Sequence, residues 1–180
     1  MYKLKPFERD DFPTIIEWSG DERFLLQWSG PSLKYPLDEN QLEKLLDGAN
    51  KEGNSESLMY KVIDSHCNEM VGIIALSRLN YKHRTGRIGK VLTSPTMRGK
   101  GLGKWMMKEM CRIGFEELSL HRISLGVFDF NEGAIRCYEK VGFQKDGLLR
   151  EVVQVDGEYW NMFEMSMLED EWKDQVSKKR

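Results

Sequence analysis

One stretch orders the elements around it: Val91-Leu92-Thr93-Ser94-Pro95-Thr96-Met97-Arg98-Gly99-Lys100-Gly101-Leu102-Gly103-Lys104. A short apolar run ends in a proline-containing turn. Glycine then stands at every second position, with cations on either side. After it Leu102, Trp105, Met106, Met110, Ile113 and Phe115 recur at three-to-four spacing, which is the period of a helix. A strand therefore feeds a glycine-rich loop that feeds a helix. That order points backbone N–H groups and a helix N-terminus at one spot, which suits a phosphate. Arg98, Lys100 and Lys104 add positive charge beside it.

The charge distribution sets this loop apart. The net charge is only -2, yet residues 78–112 hold 10 Lys/Arg against 1 Asp/Glu, while residues 1–60 hold 7 against 12. A basic segment inside an acidic chain suggests an anion at the loop and a cation elsewhere. The plainer alternative is a basic solvated face. Hydrophobic content of 40% and charged content of 31% mark a globular chain. No run approaches the ~18 apolar residues of a membrane span, and the N-terminus lacks the apolar core of a signal peptide. The three cysteines, Cys67, Cys111 and Cys137, have neither CxxC nor Cys/His ligand spacing. Reduced cytoplasmic thiols and no metal are the expectation.

Along the chain, Tyr2 to Phe7 alternates as a strand. Asp10 or Asp11 is placed to cap a helix over Phe12 to Trp18. Trp18-Ser19-Gly20 and Trp28-Ser29-Gly30 read as helix ends or turns. Asp38 begins a helix carrying Leu42, Leu45 and Leu46, and 51–57 reads as loop. Strands follow at Leu58 to Ile63, at Met70 to Leu79 with Gly72 as a bulge, and at Arg87 to Thr93. The helix after the glycine loop runs to about Leu118, and His121 to Phe128 is the next strand. Asn131 caps a helix with Ala134, Ile135, Tyr138 and Val141 on one face, and Gly142 ends it. Leu148 to Val155 and Tyr159 to Met167 form a hairpin about Asp156-Gly157. The order predicts an α/β (α+β layered) structure around one sheet. Residues 1–168 form a single domain, and the charged tail 169–180 is expected to fray.

Two nucleotide-loop motifs fail on spacing. A Walker loop needs G-x-x-x-x-G-K-[ST], and Arg98 and Trp105 occupy the first Gly and the Ser/Thr positions. A dinucleotide fingerprint needs G-x-G-x-x-G, and Gly99, Gly101 and Gly103 have the wrong last interval. The pattern R/Q-x-x-G-x-G/A is met by Arg98-Gly99-Lys100-Gly101-Leu102-Gly103. With Asn131 to Tyr138-Glu139-Lys140-x-Gly142-Phe143 about 30 residues on, the sequence resembles the Gcn5-related N-acetyltransferase (GNAT) family. The element order fits from about residue 2 to 167. Within the family it is most similar to the branch that acetylates ribosomal-protein N-termini and polyamines. The resemblance implies a mixed, mostly antiparallel central sheet with helices on both faces. It also implies acetyl-CoA as co-substrate and no metal. The pyrophosphate would sit on Arg98, Gly99, Lys100, Gly101, Leu102, Gly103 and Lys104. The pantetheine arm would pair with Val91, Leu92 and Thr93 and touch Asn131. Tyr138 would be the general acid: a phenol of pKa ~10 can protonate a thiolate whose acid has pKa ~8.5.

The general base stays open. Members of this branch often carry a carboxylate on the strand before the glycine loop, or a Ser three residues after the Asn. Here the strand carries Arg87 and Lys90, and Ala134 holds the Ser position. Glu151, Asp129, an acid near Asp38 and Glu39, or a water relay remain, while His83 and His121 read as structural or exposed. The function implied is transfer of an acetyl group to a primary amine, on a protein N-terminus or a small cationic amine such as a polyamine. A non-catalytic acyl-CoA-sensing domain is the alternative. Nucleic-acid binding through Lys82, Arg84, Arg87 and Arg98 is disfavoured, since the basic run lacks interleaved aromatics beyond Tyr81. No membrane partner is expected, and a homodimer is compatible with the sequence.

Overall fold

In the computed structural model, residues 1–51, 53 and 55–178 are described. Of the expected loop at 51–57, positions 52 and 54 lie outside the described residues, as do the last two residues of the tail. Among the described residues seven strands, β1 (Tyr2–Pro6), β2 (Leu58–Asp64), β3 (Glu69–Asn80), β4 (Thr85–Thr93), β5 (Arg122–Phe128), β6 (Gln144–Val155) and β7 (Glu158–Leu168), form one sheet in the order β1-β2-β3-β4-β5-β7-β6, flanked by helices. The chain divides into two compact units. The first holds Met1–Ser77 and Gly89–Leu102, and the second holds Arg78–Ile88 and the chain from Gly103 onward.

In the first unit β1 (Tyr2–Pro6) runs antiparallel to β2 (Leu58–Asp64), which runs antiparallel to β3 (Glu69–Asn80). The β2–β3 register steps from Val62 opposite Gly72 to Ile63 opposite Met70. One extra residue, Val71, therefore stands on β3 beside the glycine expected to mark a bulge. Its carbonyl accepts the N–H of Ser94 at 2.8 Å. Helix α1 (Phe12–Trp18) starts where expected. Asp11 does not cap it, because its carboxylate accepts the N–H of Glu8 and the ammonium of Lys61. Between the two Trp-Ser-Gly triplets stands a helix that apolar spacing did not announce, α2 (Glu22–Ser29), with Asp21 accepting the N–H of Phe24 at 2.8 Å. Asp38 caps α3 (Glu39–Leu46) through the N–H of Gln41, as its position predicts. These helices bury Phe12, Ile15, Leu25 and Leu42 in one core with Phe7, Met59, Ile73 and Leu92.

In the second unit β5 (Arg122–Phe128) runs antiparallel to β7 (Glu158–Leu168), and β7 to β6 (Gln144–Val155). Asp156 and Gly157 take φ of 49° and 81°, the pair of left-handed residues that a two-residue hairpin requires. Strand β4 (Thr85–Thr93) lies parallel to β5, with Thr85, Gly86 and Arg87 opposite Arg122, Ile123 and Ser124. Ile123, Leu125 and Val127 are buried, as the alternation predicts. Met106, Met107 and Met110 of α4 (Leu102–Arg112) and Met165 and Met167 of β7 are buried as well. The last turn of that helix, Ile113–Glu117, widens to π geometry. Helix α5 (Glu132–Val141) begins at Asn131 and ends at Gly142 with φ of 117°.

The tail corrects one expectation. Residues 169–177 do not fray: they form α6 (Glu169–Ser177). Trp172 is buried, its indole N–H donates to Glu116 at 2.9 Å, and its ring stacks on Phe115 with centroids 5.9 Å apart. Charge dominates the composition here and hides the Trp172/Val176 spacing that gives the helix an inner face.

Candidate functional site

The first unit contributes one continuous segment. Val91, Leu92 and Thr93 close β4, Ser94 is pinned to Val71, and Pro95–Met97 make a single tight turn. Gly99 and Gly101 take φ of 74° and 82°. Both are left-handed values that side chains resist, so glycine here is a backbone requirement. A Cβ built on either would meet nothing within 4 Å. The loop backbone is therefore open on the side where a side chain would stand. Arg98 lies with its guanidinium 5.0 Å from the Phe24 ring centroid, a cation–π distance. Lys100 is exposed. Leu102 is buried and starts α4, whose first N–H groups have no partner four residues back.

Further back on β4, Lys90 has φ of 53°. Its ammonium donates to the carbonyl of Ser29 at 2.9 Å and to the Ser32 hydroxyl at 2.7 Å. Sequence reading passed over this tether. The sign of it was a lysine inside an otherwise apolar strand end.

In the second unit Gly103 and Lys104 form the first turn of α4. A Cβ on Gly103 would stand 3.9 Å from the Cys137 sulfur, so α4 begins against α5. The Asn131 carboxamide oxygen accepts the N–H of Ala134 at 3.3 Å. Asn131 is thus first a helix cap. Seven residues on, roughly 10 Å along the axis and on the same side of the helix, comes Tyr138. Its ring is half-buried and sits 6.5 Å from that of Phe143 at 61°. Burial pushes its phenol well above the ordinary range, and the neighbouring Cys137 adds to the rise. Burial also raises the Cys137 thiol, against a smaller opposite pull from Lys104 and Lys140. The Tyr138 phenol is therefore protonated across the physiological range.

The residues considered as bases are occupied in different ways. Asp38 is a helix cap. Asp129 accepts from the Asn161 amide at 2.9 Å, and the Asn161 oxygen accepts the N–H of Glu151, also at 2.9 Å. The Asp129 carboxylate and the main chain of Glu151 are thus joined through Asn161 at the end of β5, and the Glu151 carboxylate takes no part in that link. His121 is exposed, with Nδ1 3.6 Å from Glu169, and His83 lies exposed in its turn.

Arg87 has a partner the sequence did not disclose. Its guanidinium grips Glu164 of β7 with both terminal nitrogens, Nη2 donating at 2.9 Å, and Nη1 also reaches the Ser124 hydroxyl at 3.3 Å. Gly126 makes room for this: a Cβ there would lie 2.6 Å from Arg87 Nη2 and 2.7 Å from the Met162 sulfur. Glu164 stands between Phe163 and Met165, and an acid in an apolar strand was the available signal.

Comparison with known proteins adds an independent line. A family model described as "Acetyltransferase (GNAT) domain" matches residues 2–144. Spermidine N(1)-acetyltransferase of Escherichia coli (strain K12) is 27% identical over 170 residues, 94% of this chain and 87% of that protein. A putative ribosomal N-acetyltransferase of Bacillus subtilis (strain 168) is 28% identical over 104 residues, 58% of this chain and 56% of its own. Among solved structures, spermidine N-acetyltransferase from Vibrio cholerae in complex with CoA and spermine superposes with a TM-score of 0.81 at 24% identity. That match covers 96% of this chain and 98% of the other. The two thus share a fold.

Proposed function

The chain belongs to the GNAT acetyltransferase family and is an acetyl-CoA-dependent N-acetyltransferase, and we propose that its acceptor is a small polycationic amine of the polyamine class. The observation that carries the acceptor is the reach of the similarity. The spermidine acetyltransferase of Escherichia coli matches over 94% of this chain, whereas the ribosomal relative matches over 58%. The 12 acids against 7 cations in residues 1–60 support a cation by charge complementarity.

The residues fit acetyl-CoA. The loop turns left-handed at Gly99 and Gly101 with open space at each, and its N–H groups, other than that of Lys100, which donates to the Met97 carbonyl at 3.3 Å, are the candidates to meet an anion. In our reading these groups and the first turn of α4 hold the pyrophosphate, with Arg98, Lys100 and Lys104 as counter-charges. Val91 to Thr93 pair with the pantetheine arm, and Asn131 contacts it with its amide donors. Backbone N–H groups near Leu92 polarise the thioester carbonyl. The amine nitrogen attacks that carbonyl carbon, the C–S bond breaks, and Tyr138 gives its proton to the departing sulfur. The proton lost from the amine passes to water or to a carboxylate.

We assign residues 1–168 to one acetyltransferase domain, with α6 packed on it through Trp172; the family match over residues 2–144 draws on both compact units and supports this. We place the protein in the cytoplasm, which agrees with free thiols at Cys67, Cys111 and Cys137. A homodimer accords with this placement. The test is a thiol-release assay with acetyl-CoA across polyamines, amino acids, aminoglycosides and N-terminal peptides. Spermidine or spermine should give kcat/KM at least about tenfold above any peptide. A peptide or aminoglycoside that outpaces both overturns the acceptor assignment.

A further inference from the structure

Strand β4 changes unit between Ile88 and Gly89, and a charged side chain ties it down on each side of that step. Arg87 is the last β4 residue in the parallel ladder with β5, opposite Ser124. Its guanidinium lies over β5 at Gly126 and is held by Glu164 on β7, so one side chain spans three strands. The pair is half-buried, with side-chain exposures of 22% and 24%. A two-pronged grip of that kind fixes direction as well as distance. Three residues on, Lys90 is held in the first unit by the Ser29 carbonyl and the Ser32 hydroxyl, and Ser32 in turn donates to Ser29 at 2.9 Å.

At the second anchor the strand departs from regular geometry. Lys90 takes φ of 53°, a left-handed value uncommon for a lysine and absent from regular strand geometry. Gly89, beside it, would meet nothing within 4 Å with a Cβ added. A lysine keeps a disfavoured backbone only when its surroundings over-determine it, and the surroundings here include the anchors at Arg87 and Lys90.

We infer that the Arg87–Glu164 pair and the Lys90–Ser29/Ser32 tether are positioning devices that set the bend of β4 and so aim the N–H groups of Val91 to Thr93 at the acyl thioester. This deepens the acetyl-CoA assignment of Val91 to Thr93 and rests on it. Neither side chain touches substrate. Each acts through the backbone that follows it.

The test uses the full chain and three variants: Lys90→Met, Glu164→Gln, and the doubly exchanged Arg87→Glu/Glu164→Arg. Hydrogen exchange of the ligand-free protein reads the tethers directly. The amides of 88–93 should exchange about tenfold faster in Lys90→Met and Glu164→Gln, with α5 and the β6–β7 hairpin unchanged. In turnover, KM for acetyl-CoA should rise and kcat fall about tenfold in both, while KM for the amine stays within about twofold. The exchanged pair should regain most of the loss. Unchanged exchange at 88–93 overturns the inference whatever the enzyme does. Faster exchange with an equal rise in both KM values also overturns it, since that marks general loosening. Absence of turnover in the wild type with any amine sinks the functional reading alone, because the exchange experiment still decides whether the anchors hold the bend.

Discussion

Tyr138 shows how a side chain's surroundings select its chemistry. A phenol of ordinary acidity begins to lose its proton near pH ~10, and burial together with Cys137 moves Tyr138 well above that. The raised value favours the protonated form in the folded protein. That contribution is fully present below the unfolded pKa and is lost as pH rises through the folded one. Tyr138 therefore gives no descending limb to the rate profile below about pH 10, and any limb seen there belongs to another group. Tyr138→Phe keeps the ring against Phe143 and removes the proton. Its kcat should fall about a hundredfold or more, with acetyl-CoA affinity, measured by calorimetry, within about threefold of wild type. A variant with full kcat would remove Tyr138 from the mechanism. At this scale the sequence spoke unevenly. Gly99 and Gly101 were visible because alternate glycines announce left-handed turns, and Asn131 and Tyr138 because they match the family pattern. Glu164 was hidden, because a pairing across three strands leaves no regular interval in the chain.

Elements end where their terminal residues allow, and α5 depends on Gly142. That residue takes φ of 117°, and its N–H reaches back to the carbonyls of Tyr138 and Glu139, both at 3.0 Å. A Cβ there would lie 1.8 Å from the Gln175 amide nitrogen of α6. Gly142→Ala therefore meets a disfavoured backbone and a clash together, and should cost about 1–3 kcal/mol. For a chain of this size that lowers the thermal midpoint by roughly 2–4 °C per kcal/mol. In a Gln175→Ala background the clash term vanishes and the backbone term stays, so the cost should drop but not disappear. If Gly142→Ala costs nothing by calorimetric melting, the glycine is not what ends the helix.

Helix α6 makes the companion case. Trp172→Ala removes the stack on Phe115 and the donor to Glu116. It should cost about 3–5 kcal/mol, measurable in urea, although composition alone marks the segment as a tail. The elements legible in advance were those with local signatures: the glycine loop, the Asp38 and Asn131 caps and the Asp156-Gly157 hairpin. Helices α2 and α6 were not: α2 carries an aspartate cap like that of α3, but the flanking Trp-Ser-Gly triplets read as turns, and the charge of α6 conceals its inner face.

Over the whole molecule the net charge of -2 conceals the arrangement that matters. The segment 78–112 is basic, but much of its charge is already committed within the fold. Arg84 pairs with Glu169 at 3.0 Å, Arg87 with Glu164, and Arg112 with Glu109 and Glu117, while Lys90 holds Ser29 and Ser32. These contacts stabilise structure and leave little field for a distant anion. Arg98, Lys100 and Lys104 differ, since all three are exposed and stand on the glycine loop or the first turn of α4. If they attract the phosphates of acetyl-CoA, the attraction must be screened by salt. The Debye length shrinks from about 30 Å at 0.01 M to about 8 Å at 0.15 M. KM for acetyl-CoA should accordingly rise several-fold over that range, with kcat nearly constant. The double variant Lys100→Ala/Lys104→Ala should have a higher KM at low salt and a visibly flatter dependence on ionic strength. Because these side chains are solvent-exposed, their loss should leave the melting temperature within about 1 °C. A variant whose salt dependence parallels that of the wild type would place the phosphate attraction elsewhere in the basic segment, and Arg98, held over Phe24, would be the next residue to remove.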